Sequence, residues 1–122
     1  YKPDVVCINL GTNDTSTQGA DSLLLQQGFQ RLYHQVRSHN PDAKIVFLSG
    51  TMMSGEALRA AQQAMDATLS YARLRGDKEI YRFDFPPQDG SLGYGASYHP
   101  SMQQHEKMAS ELTAYLKQLM GW

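Results

Sequence analysis

The segment Val-Val-Cys-Ile-Asn-Leu-Gly-Thr-Asn-Asp, residues 5–14, joins an almost continuously apolar run to a loop of turn-forming residues. A run such as residues 5–10 is typical of a parallel strand that is covered on both faces. Residues 11–19 are rich in Gly, Thr, Ser and Asn, which favour turns. We therefore predict a strand with a loop at its carboxyl end. Its single cysteine, Cys7, is expected to be a small buried hydrophobic residue.

The rest of the chain alternates between helical and strand patterns. Apolar residues at helical spacing predict two helices, and a capping box that opens at Ser101 predicts a third. Two further apolar runs predict strands, the second nearer the sheet edge because its residues alternate. The predicted helices span residues 21–38, 56–75 and the segment from 101 onward, and the further strands span residues 44–49 and 79–85. This β-α-β-α-β-loop-α order indicates a three-layer α/β/α fold with a parallel sheet of about three strands.

Composition excludes several classes of function. Hydrophobic residues make up 41% and charged residues 19% of the 122 residues, and the net charge is −1 without a basic stripe, so we expect no nucleic-acid partner. No apolar run approaches the roughly 18–20 residues that a membrane helix needs. No Gly-x-Gly-x-x-Gly loop follows a strand, which disfavours a flavodoxin-like nucleotide binder, and no His or acidic cluster has metal-ligand spacing. We expect neither a cofactor nor a metal ion.

The predicted strands place three loops at one edge of the sheet, where ligands bind in open parallel sheets. In the first loop, Asn13 carries a side-chain amide that can donate to an oxyanion, although an Asn in such a position is also a common turn former. In the third loop, residues 86–98, the chain runs directly into His99 and then Pro100. An imidazole held before a proline and a capped helix can act as a general base near neutral pH.

Taken together, these two segments resemble a known superfamily. Residues 11–14, Gly-Thr-Asn-Asp, resemble the third block of the SGNH (GDSL-type) hydrolases, and residues 99–101, His-Pro-Ser, resemble the fifth. Their separation of about 85 residues and the intervening β-α-β pattern also match. The Gly-Thr-Asn-Asp-Thr-Ser loop and the aromatic residue before His-Pro-Ser are most similar to the acetyl xylan esterases of the second carbohydrate esterase family. The resemblance implies that residues 1–122 are the C-terminal part of one flavodoxin-like SGNH domain.

The resemblance also implies catalytic roles. Asn13 would donate to the tetrahedral intermediate, and His99 would deprotonate a serine and then protonate the leaving sugar hydroxyl. Gly11 and Thr12 would lie against the substrate, with Gly11 permitting a tight turn there.

Three further residues have supporting roles. Asp14 and Pro100 would organise the two segments structurally. Tyr98 would form a wall of the sugar site, or alternatively would be a partly buried packing residue.

Two features depart from the superfamily pattern. The Asp that often precedes the histidine by three residues is replaced by Ala96, so Asp84, Asp89 or a main-chain carbonyl would orient His99. The Gly-Asp-Ser block that carries the nucleophile is not in this chain. Ser91, in Asp-Gly-Ser, has the wrong order and is not expected to replace it. We therefore expect the nucleophile to lie outside these residues, and the fragment alone to be inactive.

The leading prediction is an esterase that removes O-acetyl groups from xylan-type carbohydrate, with an acetylated carbohydrate or small ester as substrate. The alternatives are another SGNH lipase or thioesterase, and a non-catalytic carbohydrate-binding or assembly domain. The resemblance favours a secreted or periplasmic location. The strand at residues 5–10 would expose an unpaired edge, which favours self-association or pairing with an N-terminal segment.

Overall fold

The computed structural model describes residues 1–10 and 22–122, and its elements follow the predicted order. The strands are β1 (Val5–Ile8), β2 (Lys44–Gly50) and β3 (Ile80–Phe85). The helices are α1 (Ser22–His39), α2 (Gly55–Leu74) and α3 (Met102–Met120), and a short 3-10 turn spans Ala96–Tyr98. Among the described residues, no helix has both the length and the apolar character needed to cross a membrane.

The three strands form one parallel sheet in the order β1-β2-β3, so β2 is central. Val5 pairs with Lys44 in β2, and the β2–β3 register ends with Gly50 opposite Phe85. Parallel strands direct their carboxyl ends to the same edge of a sheet, so the loops that leave β2 and β3 begin side by side.

Helices cover both faces of the sheet, which confirms the three-layer prediction. On one face, Ile45 and Phe47 pack with α1 and α2 in a buried cluster. On the other face, Val46 and Leu48 of the same strand pack with apolar residues of α3. Side chains alternate between the faces of a strand, so β2 supplies the core of both layers.

The first strand is shorter than predicted, and the prediction for its cysteine is wrong. β1 ends at Ile8 rather than at residue 10, and Cys7 is exposed. The physical reason lies in the position of the strand: β1 pairs only with β2 among the described residues, and α3 packs chiefly over β2 and β3. Part of the α3-side face of β1 therefore remains open.

A polar cluster closes the amino ends of the strands. The Arg37 guanidinium donates to Asp77 Oδ2 at 2.8 Å and to the carbonyls of Ala43 and Glu79 at 2.6 and 3.1 Å. The hydroxyl of buried Tyr33 donates to Asp77 Oδ2 at 2.6 Å. Arg37 thus joins the end of α1 to the segments that lead into β2 and β3.

This cluster raises the pKa of Tyr33 and lowers the pKa of Asp77. Burial, followed by the hydrogen bond to Asp77 and its negative charge, raises the pKa of Tyr33 to about 12. Burial alone would raise the pKa of Asp77, but hydrogen bonds from Tyr33, the Glu79 backbone and Arg37 outweigh it and hold that pKa below its ordinary value. The folded state therefore favours a neutral phenol beside a charged carboxylate.

The raised pKa of Tyr33 predicts a loss of stability at alkaline pH. Unfolding releases the phenol to its ordinary pKa of 10.0, so the contribution of this group is complete below pH 10 and is lost as the pH rises towards about 12. Urea denaturation across this range should show a fall in the free energy of unfolding that Tyr33→Phe makes shallower. Tyr1→Phe removes the same hydroxyl from an exposed residue and is the control. Equal pH dependence in both variants would contradict the prediction.

Candidate active site

The loops that leave β2 and β3 enclose a pocket of about 210 Å³ at the carboxyl edge of the sheet. Residues 51–54 form one side, and Pro87, Gln88, Tyr94 and Tyr98 form the other. A pocket at this edge agrees with the general position of ligand sites in open parallel sheets.

The end of β2 approaches β3 too closely for a side chain. Gly50 has φ +98°, and a Cβ atom placed on it would lie 2.3 Å from the carbonyl oxygen of Phe85. Thr51 follows with φ +56° and is buried. Its carbonyl accepts a 2.8 Å hydrogen bond from the backbone N–H of Gln88. The two loops are therefore joined at the base of the pocket.

Two buried polar atoms belong to residues that line the pocket. Thr51 Oγ1 and Gln88 Oε1 have no hydrogen-bond partner within the described part of the chain. A buried polar group without a partner costs about 1–3 kcal/mol.

The predicted base, His99, follows the pocket-lining Tyr98 and has a fixed backbone. Its N–H donates to the Ala96 carbonyl at 3.0 Å, and its carbonyl accepts from the Gly95 N–H at 2.7 Å. The Gln88 side-chain amide donates to the Tyr98 carbonyl at 2.6 Å. The imidazole itself is exposed. His99 therefore combines a held main chain with an accessible side chain.

The turn before His99 has unusual backbone angles. Ser97 has φ +54° and Tyr98 has φ +61°, although neither is glycine. Left-handed angles cost non-glycine residues roughly 1–2 kcal/mol each. Such angles persist only where neighbouring contacts hold them, and they cluster at functional sites.

Two tyrosines form the aromatic part of the pocket. The rings of Tyr94 and Tyr98 meet edge to face, with centroids 5.5 Å apart. Tyr98 is 75% exposed. Tyr94 also forms an antiparallel bridge with Pro100, which joins the two ends of the turn.

The capping serine predicted for the last helix is confirmed. The Ser101 side chain accepts from the Gln104 N–H at 3.1 Å and donates to the Leu92 carbonyl at 2.7 Å. It therefore connects the start of α3 to the loop that follows β3.

The two carboxylates considered as partners of His99 are engaged elsewhere. Asp84 accepts from Ser49 Oγ at 2.5 Å and pairs with Arg82 at 3.0 Å, on the α2 side of the sheet. Asp89 accepts from the Ser91 N–H at 2.8 Å in a local turn. Hydrogen bonds involving Ser91 lower the pKa of Asp89.

The structure describes only part of the predicted site. Tyr98 lines the pocket, and His99 and Pro100 follow it in the chain, whereas residues 11–14, which include Asn13, lie outside the described residues. No group of three His, Cys, Asp or Glu side chains suited to a metal ion occurs in the described ranges. Sequence reasoning missed Thr51 and Gln88. The available signal was only that each lies in a loop at the carboxyl edge.

The fold and this edge site agree with a family match over most of the chain. The sequence profile of the GDSL-like Lipase/Acylhydrolase family matches residues 1–107, and the chain belongs to this family. The superfamily that the sequence blocks indicated is thereby confirmed.

Known relatives are carbohydrate esterases. The chain is 41% identical over 122 residues to the cellulase/esterase CelE of Acetivibrio thermocellus and 28% identical to an acetylxylan esterase/glucomannan deacetylase of Cellvibrio japonicus. It superimposes with a TM-score of 0.95 and 41% identity on a family two carbohydrate esterase from Clostridium thermocellum solved with cellohexaose. All of this chain is covered in each case, but only 15%, 32% and 38% of the respective relatives.

The close approach at the end of β2 predicts a specific cost for a methyl group. Gly50→Ala should lower the free energy of unfolding by more than about 2 kcal/mol, since it adds a backbone collision to an unfavourable φ. Gly76→Ala is the matched control, because Gly76 has φ +94° but its Cβ would meet no atom within 4 Å. Chemical denaturation measures both. Equal losses would show that the contact with Phe85 is not the constraint.

Proposed function

We propose that the protein is a serine esterase that removes O-acetyl groups from carbohydrate. This chain would supply the general base His99 and the oxyanion donor Asn13, and a segment outside it would supply the nucleophilic serine. Gly11 and Thr12 would lie against the substrate, and Asp14 and Pro100 would support the two segments. The names of the relatives, which are carbohydrate esterases, support this substrate class.

The observation that carries the proposal is the position of His99. His99 is exposed, its backbone is fixed at both polar atoms, and it directly follows Tyr98, which lines the pocket together with Tyr94. A sugar presents apolar ring faces to aromatic side chains and hydroxyl groups to polar atoms, so its chemistry matches this lining. Tyr98 would form a wall of that sugar site.

The proposed reaction follows the general course of serine acyl transfer. His99 takes the proton of the serine hydroxyl as the serine oxygen attacks the acetyl carbon. The Asn13 amide donates to the oxyanion that forms, and the imidazolium then gives its proton to the sugar oxygen as the ester bond breaks. Water releases acetate from the acyl-enzyme by the same steps, which regenerates the serine. Because Asp84 and Asp89 are engaged elsewhere, a main-chain carbonyl would orient the imidazole.

A second candidate is carbohydrate binding without catalysis. The exposed Tyr94–Tyr98 pair favours it, since aromatic rings in an open pocket can hold a sugar whether or not a nucleophile is present. A third candidate is another lipase-like esterase or thioesterase. Rates on p-nitrophenyl esters of increasing chain length separate it from an acetylesterase.

We further propose that the outer edge of β1 pairs with polypeptide that precedes residue 1. β1 has a strand neighbour on one side only within the described residues, and exposed strand edges recruit other strands. The relatives are longer than this chain, so they contain further polypeptide.

The catalytic proposal predicts acetate release from acetylated xylan by the protein at its natural length. His99→Ala and Asn13→Ala should each lower the rate at least about 10²-fold, because one removes the base and the other an oxyanion donor. His105→Ala, which alters an exposed histidine of α3, is the control and should leave the rate unchanged. Acetate is measured by an enzyme-coupled assay. Full activity in His99→Ala would exclude the proposed mechanism, and an inactive wild type that still binds xylan would favour the binding candidate.

The edge proposal predicts that residues 1–122 prepared alone associate. Sedimentation under reducing conditions should show a species larger than 13.7 kDa, which Cys7→Lys disperses by placing a charge on β1. Cys7→Ser is the matched control and should still associate. A stable monomer of residues 1–122 counts against the proposal.

A further inference from the structure

Gln88 connects the rigid end of the central strand to the histidine turn. Its backbone N–H donates to the Thr51 carbonyl at 2.8 Å, and its side-chain Nε2 donates to the Tyr98 carbonyl at 2.6 Å. We propose that Gln88 is a positioning residue for His99. The inference rests on the proposed function, in which His99 is the general base.

A hydrogen bond to the Tyr98 carbonyl restrains His99 directly. That oxygen and the His99 nitrogen belong to one peptide unit, which is planar. Fixing the oxygen therefore fixes the plane from which the His99 Cα is built. With the His99 N–H bonded to Ala96 and its carbonyl bonded to Gly95, every polar backbone atom around that Cα has a partner.

The held conformation is one that the turn would not keep alone. Ser97 and Tyr98 both have positive φ, and the turn is exposed, so packing does little to fix it. Strained backbone of this kind needs surrounding contacts. Gln88 supplies a donor from outside the turn. Without it, we expect the turn to relax and the Cβ of His99 to move.

The donor must come from a group that is itself fixed, and Gln88 meets this condition. Thr51, to which its backbone is bonded, is buried and follows the close contact between Gly50 and Phe85. The orientation of the amide is also determined, because a carbonyl can only accept and the atom facing Tyr98 must therefore be the NH₂ group. The end of β2 therefore fixes the position of Gln88, and Gln88 in turn fixes the peptide unit that precedes His99.

Gln88→Glu isolates the positioning role. Glutamate has nearly the same shape and keeps an oxygen at the position of Gln88 Oε1, but its carboxylate cannot donate to the Tyr98 carbonyl. We expect kcat for acetate release to fall by about tenfold or more while KM changes by less than about threefold, since small displacements of a catalytic group impair the reaction more than substrate binding. Gln103→Glu introduces the same charge on an exposed residue of α3 and should leave both constants unchanged.

A second readout separates positioning from general damage. In the His99→Ala background, Gln88→Glu should cause no further loss of the residual rate, because a residue that acts only through His99 has nothing left to position. A rise in KM without a change in kcat, or an equal loss in both backgrounds, would overturn the proposal. The variants are made in the protein at its natural length.

Amide hydrogen exchange makes the test independent of activity. Exchange of the His99 N–H should become at least about tenfold faster in Gln88→Glu, while the amides of β2 keep their protection. Unchanged exchange at His99 overturns the positioning role whatever the kinetics show. Faster exchange in a protein whose wild type releases no acetate would instead remove the proposed function and leave the structural link intact.

Discussion

Burial of β2 on both of its faces is the constraint on which the rest of the structure depends. Ile45 and Phe47 lie under α1 and α2, and Val46 and Leu48 lie under α3. Removing the helices of either layer would expose one complete set of these side chains to water. The cost in stability would be roughly 25 cal/mol for each Å² of apolar surface exposed. A strand with two apolar faces requires helices above and below it and a strand on each side. Burial of β2 also fixes the position of Gly50, the last residue of the strand, after which the pocket-lining residues 51–54 begin.

Most of this architecture could be predicted from the sequence because it depends on local patterns. Helical spacing and apolar runs report burial directly, and Phe29 in α1 and Met65 in α2 lie in the core. The exception is Cys7, whose burial depends on neighbours of β1 rather than on β1 itself. An apolar run indicates that a strand prefers cover, but it does not indicate how far a helix from another part of the chain extends over it.

The site could be predicted only where the type of a residue and its sequence neighbours indicate a chemical role. The histidine before a proline and a capped helix was recognisable, and in the structure it directly follows the pocket-lining Tyr98. The link from Thr51 to Gln88 was not, since it joins two loops whose paths are set by tertiary packing. The left-handed angles at Ser97 and Tyr98 were equally hidden, because glycine is the residue that normally signals them.

The amino and carboxyl ends of the strands differ in how well their polar groups are paired. At the amino ends, the Arg37 guanidinium donates both to main-chain carbonyls and to the Asp77 carboxylate. At the carboxyl ends, the buried oxygens of Thr51 and Gln88 have no partner among residues 1–10 and 22–122, and the turn before His99 has unfavourable backbone angles. Unmet hydrogen bonds and backbone strain both cost stability, and within the described residues they lie at the edge of the sheet that carries the pocket. The polar groups at the amino ends thus stabilise the fold, whereas the carboxyl ends carry the less favourable backbone and the pocket.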